Sequence, residues 1–331
     1  MNSSTSFLSA SLTLITPIVK KKRLAMKPFE EYPIIMIRSS IVAAVVLVIA
    51  MVFGCNSVPT GLPTPLPDRA NRMHHGYLYY IDGAGGGTAK KNWAGGVREG
   101  LMAAGYPGAG EMYSWETGDG LLKDQVASVD YKRSRAKGLA TEIQNYAMHY
   151  PEAPVHILSF SAGAPEAIYA LEALPESVQV DNVVMLGASI SEDYDLTEAL
   201  KHVRNKLYLY TSTKDEMLGF LMKFSGTADR KFHDPGAGIK GFALPKGATA
   251  ETRQAYADKI IAIEWTKALE QDGDAGHHFD NVKMEFIRDH VAPLLMGKPV
   301  PGVPGVPGIS RTSALSAGRP VRNPAHEPDI M

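Results

Sequence analysis

A serine between small neighbours becomes a reagent when a strand ends just before it and a helix starts just after it. Ser159-Phe160-Ser161-Ala162-Gly163 has that setting, with an apolar run over 155–160 before it and helical spacing over 165–174 after it. A serine on such a turn has its hydroxyl lifted clear of the sheet. A neighbouring base then takes the proton, and the oxygen attacks an acyl carbonyl. The plainer role for Ser161 is to N-cap the following helix.

Nucleophilic serine chemistry also needs donors for the developing alkoxide, a base and an acid that orients the base. The run Asp82-Gly83-Ala84-Gly85-Gly86-Gly87 follows the short apolar segment 77–81. Thr88 stands where a dinucleotide fingerprint needs its last glycine, and Thr88-Ala89-Lys90 does not complete a phosphate-binding P-loop. The run reads as a glycine turn able to present backbone N–H groups. Asp215 follows the strand-like run at 207–210 and is the candidate acid, with Glu216 beside it. Asp193 and Asp195, after the preceding strand, are the alternatives. The base is His277 or His278, in Gly276-His277-His278-Phe279. A zinc site is a poor reading of this pair, because adjacent side chains diverge and no further ligand set lies nearby. His156 and His290 read as structural.

The strand-turn-helix setting of Ser161 resembles the nucleophile elbow of the α/β-hydrolase superfamily, and the order Ser161, Asp215, His277/His278 is the chain order of that superfamily's triad. Gly163 matches the elbow pattern, while Ser159 stands where the family has its first glycine. The glycine run resembles the oxyanion loop of esterases, with Asp82 where that loop carries histidine. The resemblance implies an oxyanion hole made by the N–H groups of Ala162 and Ala84. The segment 286–295 is similar to the closing helix of bacterial lipoprotein hydrolases, a pattern that makes His278 the base. No metal or organic cofactor is implied.

The elements that must hold these residues alternate along the chain. Strand patterns fall at 77–81, 111–115, 155–160, 183–187, 207–210 and 259–263. Helical patterns fall at 92–105, 132–150, 165–174, 195–203 and 284–295. Strands separated by helices predict an α/β fold with a mostly parallel, doubly wound sheet and helices on both faces. Only 188–205 separate the fourth and fifth strands, too little for a cap domain. The stretch 216–252 carries Gly236, Gly238, Gly241, Pro235 and Pro245 and reads as an irregular loop.

The chain has 331 residues, 45% of them hydrophobic, which suffices for a large core. Its 34 basic and 35 acidic side chains leave a formal charge of −1, so no basic excess points to nucleic acid. The single cysteine, Cys55, excludes an internal disulfide. It follows the apolar run 41–53, with Arg38 upstream. That run is shorter than the ~20 apolar residues of a bilayer span and has the form of a secretory signal. Val52-Phe53-Gly54-Cys55 resembles the bacterial lipobox, which implies lipidation at Cys55. The competing reading is an uncleaved signal anchor. Met26 or Met36 is a candidate start, and the basic cluster at 20–23 receives no role.

The expected organisation is an N-terminal extension and anchor at 1–55, a Pro-rich tether at 56–74, a catalytic domain at 75–296 and a Pro/Gly-rich disordered tail at 297–331. The expected function is hydrolysis of small acyl esters by an exported, membrane-attached serine hydrolase. An inert envelope lipoprotein keeping the fold, and an acyltransferase using the same triad, are the alternatives. The oligomeric state is not legible.

Overall fold

The structure is a computed structural model and describes residues 65–86, 93–301 and 303. The N-terminal extension, Cys55, most of the tether, Gly87 and the tail beyond 303 lie outside the described residues.

Six strands form one parallel sheet: β1 (Tyr77–Ile81), β2 (Ala109–Tyr113), β3 (Val155–Phe160), β4 (Val180–Leu186), β5 (Val203–Thr211) and β6 (Ile260–Glu264). Their order is β2-β1-β3-β4-β5-β6. The chain builds leftward from β1 to β2, then crosses back to place β3 on the other side of β1. Loops leaving β1 and β3 therefore turn to opposite faces, and the crevice between them is the topological switch point where ligands bind in open parallel sheets.

Alternation along the strands divides the core into two layers. Tyr77, Tyr79, Ile81, Val155, Ile157, Val183, Met185, Leu207 and Leu209 face one side. That side is covered mainly by α4 (Val129–His149) and α5 (Ala164–Glu172). Leu78, Tyr80, Leu158, Phe160, Val184, Leu186, Tyr208 and Tyr210 face the other, under α2 (Val97–Ala103) and the closing helix. The remaining helices are α1 (Arg69–Arg72), α3 (Leu121–Val126), α6 (Thr197–Lys201), α7 (Glu216–Ser225), α8 (Ala237–Lys240) and α9 (Ala250–Lys259). The closing helix, α10, starts as Met284–Phe286, widens into a π-helical turn at Ile287–Val291 and finishes as Ala292–Leu295. Pro293 has no N–H to donate and its ring crowds the carbonyl of Asp289, so the widened turn falls where an α-helical bond is unavailable.

Three expectations need correction. The stretch after Asp215 is not irregular from its start: α7 occupies Glu216–Ser225, because Asp215 caps its N-terminus and Leu218 and Met222 bury one face. Gly226, with φ +75°, ends it, and only then do the glycines and prolines take over. The second strand lies two residues earlier than its pattern suggested, because Trp115 leaves the ladder to anchor the loop that follows. The packed body also exceeds 75–296. Leu66 is buried and its N–H donates to the carbonyl of Gly110 at 2.9 Å, while Val300 is buried at the other end. Between β4 and β5 the five-residue α6 is the only helix, as the short gap required.

Candidate active site

Ser161 sits at the carboxyl end of β3 with φ +51°, a left-handed conformation that few non-glycine residues adopt. The chain must reverse within one residue there to pass from strand to helix, and this turn aims the side chain away from the sheet. The reversal requires close packing. A Cβ on Gly163 would stand 2.5 Å from the carbonyl oxygen of Asp82 and 2.6 Å from that of Ile81. Ser159 takes the other small position and is fully buried between its ladder partners Ile81 and Met185. It is small enough to keep the turn that the glycine pattern would give.

His278 lies between Ser161 and Asp215. The Ser161 hydroxyl donates to Nε2 at 2.9 Å, and Nδ1–H donates to Oδ2 of Asp215 at 2.7 Å. All three side chains are buried. The second oxygen of Asp215 accepts the N–H of Leu218 at 2.8 Å, so the carboxylate is fixed by the first turn of α7 as well as by the imidazole. Gly187, with φ +52°, keeps this corner open: a Cβ there would lie 3.2 Å from Nδ1 of His278 and 3.5 Å from Oδ2 of Asp215. The ring of Phe160 packs 4.8 Å from the imidazole.

The alternatives fall elsewhere. His277 and Glu216 are exposed. Asp193 pairs with Lys231, and Asp195 accepts from the N–H and hydroxyl of Thr197. His290 lies against Phe286 and bonds Asp272, and His156 is buried beside Tyr106.

The loop after β1 runs alongside the elbow. A Cβ on Gly83 would be 3.0 Å from that of Ser161. The N–H of Gly83 donates to Oδ1 of Asp82, that of Gly85 to Oδ2 of Asp124, and that of Gly86 to the carbonyl of Gly83. The N–H of Ala84 has no acceptor among the described residues. Ala162, second residue of the Ser161–Gly163 turn, precedes any acceptor its own helix offers. Two N–H groups thus stand without a protein acceptor among the described residues, on the two loops that part at the switch point.

Buried charged groups accompany these elements: Asp82, which the sequence marks in the glycine loop, and Glu166 and Lys132, which it does not. Asp82 is buried; burial pushes its carboxyl up to about 7, against the lowering by the Gly83 N–H and the Tyr80 hydroxyl. Glu166 on α5 is fully buried, and burial raises it to about 9, offset in part by the charges of Lys132 and Arg135. Lys132 on α4 is also buried, which lowers it to about 8. Its ammonium donates to the carbonyls of Gln125 and Ala228, tying α3 to the loop after α7. Asp124 and Gln125 lie on α3, a helix the sequence patterns did not mark, Lys132 lies in a plain helical pattern, and nothing in their spacing singles them out.

No family model matches the chain, and no curated protein matches it. Solved structures do. A lipase/esterase from Lactobacillus plantarum aligns at 13% identity over 61% of this chain and 81% of its own, with TM-score 0.34. An uncharacterized protein from Bacillus cereus aligns at 15% over 60% and 57%, with TM-score 0.34. Aspergillus fumigatus lipase B aligns at 12% over 72% and 55%, with TM-score 0.37. The chain thus spans little more than half the length of the last two. The architecture rests on its own topology: a parallel sheet in the order β2-β1-β3-β4-β5-β6, with a strained serine turn at its switch point, is an α/β-hydrolase fold.

Proposed function

We propose that the chain is a serine hydrolase of carboxylic esters that works through an acyl-enzyme on Ser161. The observation that carries this is the buried chain of two hydrogen bonds, Ser161 to His278 to Asp215, beside two N–H groups free to meet an oxyanion.

In this reading Ser161 attacks the acyl carbonyl as its proton passes to Nε2 of His278. Asp215 stabilises the imidazolium and holds its tautomer. The N–H groups of Ala84 and Ala162 receive the oxyanion, each such donor lowering the barrier by ~3 kcal/mol. His278 then protonates the leaving alcohol. Water enters, gives a proton to the same nitrogen, and releases the acid by the reverse path. No step calls for a metal or organic cofactor. Small acyl groups are the proposed substrates, since 187–202 contributes one short helix and no lid to that side of the crevice. Export and attachment through a lipidated Cys55, ahead of a tether, complete the proposal.

The test is labelling by a fluorophosphonate, which phosphonylates an activated serine. Label on the wild type, absent from Ser161→Ala, is expected. An unlabelled folded wild type would leave the inert-lipoprotein reading standing in its place.

A further inference from the structure

We infer that Asp124 is a positioning residue for catalysis: its carboxylate clamps the loop after β1 so that the N–H of Ala84 points at the oxyanion. This rests on the serine hydrolase reading.

Asp124 lies on α3, about forty residues from that loop, yet it is almost fully buried. Its two oxygens have separate tasks. Oδ2 accepts the N–H of Gly85 at 2.8 Å. Oδ1 accepts the N–H of Thr117 at 2.7 Å and the Thr117 hydroxyl at 2.5 Å. One carboxylate thereby ties the β1 loop to the loop leaving β2. That second loop is fixed in turn where Nε1 of Trp115 donates to the carbonyl of Asp82 at 2.8 Å. Gly85 has φ +76°, and a Cβ there would come within 3.2 Å of Leu121, so α3 sits directly on the turn. The next residue, Gln125, donates to Oγ of Ser189 and to the carbonyl of Gly226. Ser189 gives its own N–H to the carbonyl of Ser161. The helix that holds the oxyanion loop is therefore also tied to the nucleophile turn.

The clamp has an electrostatic cost. A carboxylate one residue from an oxyanion donor repels the charge that develops in the transition state. Position and field thus predict opposite signs for the same substitution. Asp124→Asn removes the charge and keeps the shape, but an amide has one oxygen. It accepts from Gly85 or from Thr117, and its NH2 faces the other donor. If position dominates, Asn slows the reaction; if field dominates, Asn speeds it.

The experiment measures kcat and KM on a soluble short-chain ester for wild type, Asp124→Asn and Thr117→Val, after wild-type labelling at Ser161 has been established. A trifluoromethyl ketone, which adds to the serine and sets an oxyanion in the hole, supplies a second readout. Asp124→Asn is expected to lower kcat by roughly 10- to 100-fold, short of the ~10²–10³ for losing a donor outright. KM should stay within about twofold, and ketone affinity should fall in step with kcat/KM. Thr117→Val, which removes one of the three bonds, should give the same pattern at about threefold, and it decides the matter alone if Asp124→Asn does not fold. A kcat unchanged or raised in the folded variants, or a rise in KM alone, overturns the clamp while leaving the hydrolase reading intact. Failure of the wild type to label removes both.

Discussion

The strain at Ser161 gives a stability prediction that does not depend on knowing the substrate. Left-handed backbone costs an L-residue ~1–2 kcal/mol because Cβ crowds the following carbonyl. Compare Ser161→Ala with Ser161→Gly. Both lose the hydroxyl and its bond to His278, so that loss cancels. Going from Ala to Gly costs ~0.5–1 kcal/mol in backbone entropy and up to ~0.8 kcal/mol for a buried methyl. At position 161 the relief of φ +51° offsets most of this, so the two variants should be nearly equal in stability. Ala162 supplies the internal reference: it is equally buried, and its φ is not positive. There Ala162→Gly should bear the full cost, ~1.5 kcal/mol. At ~2–4 °C per kcal/mol for a domain of this size, the Ala-to-Gly change at 162 should lower the melting temperature by about 3–6 °C, and at 161 by less than about 2 °C. Differential scanning calorimetry reads both. Equal penalties at the two positions would refute the claim that the serine is held under strain.

Other perturbations separate the remaining roles. Ser161→Ala should lower turnover of a chromogenic short-chain ester by at least ~10³-fold with folding retained, and His278→Ala should match it. His277→Ala should remain within a few-fold of wild type; the opposite ranking of the two histidines would move the base. Asp82 keeps its proton in the fold up to about 7 against an ordinary value of 3.8. The native state therefore holds the extra proton between those values, and stability is lost as pH rises through 7. Glu166, raised to about 9, acts with the same sign over a wider window. Asp82→Asn should thus be more stable than wild type at pH 8 and should flatten the decline between pH 4 and 7 in denaturant titrations. A steeper decline would mean that Asp82 is ionised in the native state. Cys55→Ser should abolish lipidation, and mass spectrometry of the mature N-terminus decides it: wild-type chains retaining residues upstream of Cys55 would refute the anchor.

What the sequence revealed follows the range of the forces involved. β1, β3 and the closing helix fall where their patterns put them, because buried parallel strands read as unbroken apolar runs. Ser161 was legible for a local reason: an elbow needs small neighbours within two residues. Asp215 was legible as a strand-end residue and the His277/His278 pair by chain order, while the likeness of 286–295 to a known closing helix pointed to His278. What separates His278 from His277 is burial, to which Gly187 and Phe160, roughly 90 and 120 residues away in the chain, contribute. The helix after Asp215 was missed because the glycines beyond it dominated the reading of the whole stretch. Asp124 and Lys132 were invisible. All but one of their bonds go to backbone groups, which nearly every residue type offers, so no side-chain pattern records them.

The buried charges also bear on why the site tolerates acids next to an oxyanion. Asp82 adjoins the proposed hole and Glu166 is buried in the first turn of α5, the helix that follows Ser161, and two ionised carboxylates there would oppose the proposed chemistry. Burial resolves the conflict by keeping protons on them. Burial shifts Glu166, to about 9, and Asp82, to about 7, toward their protonated forms, while Lys132 is lowered only to about 8. The field under the site is then less negative than the residue count suggests. Asp124 differs in having three donors for its two oxygens. Where a carboxylate is needed for geometry, the fold surrounds it with N–H and O–H groups. Where it is not, as with Glu166, neither oxygen has a partner among the described residues, and burial leaves the group uncharged.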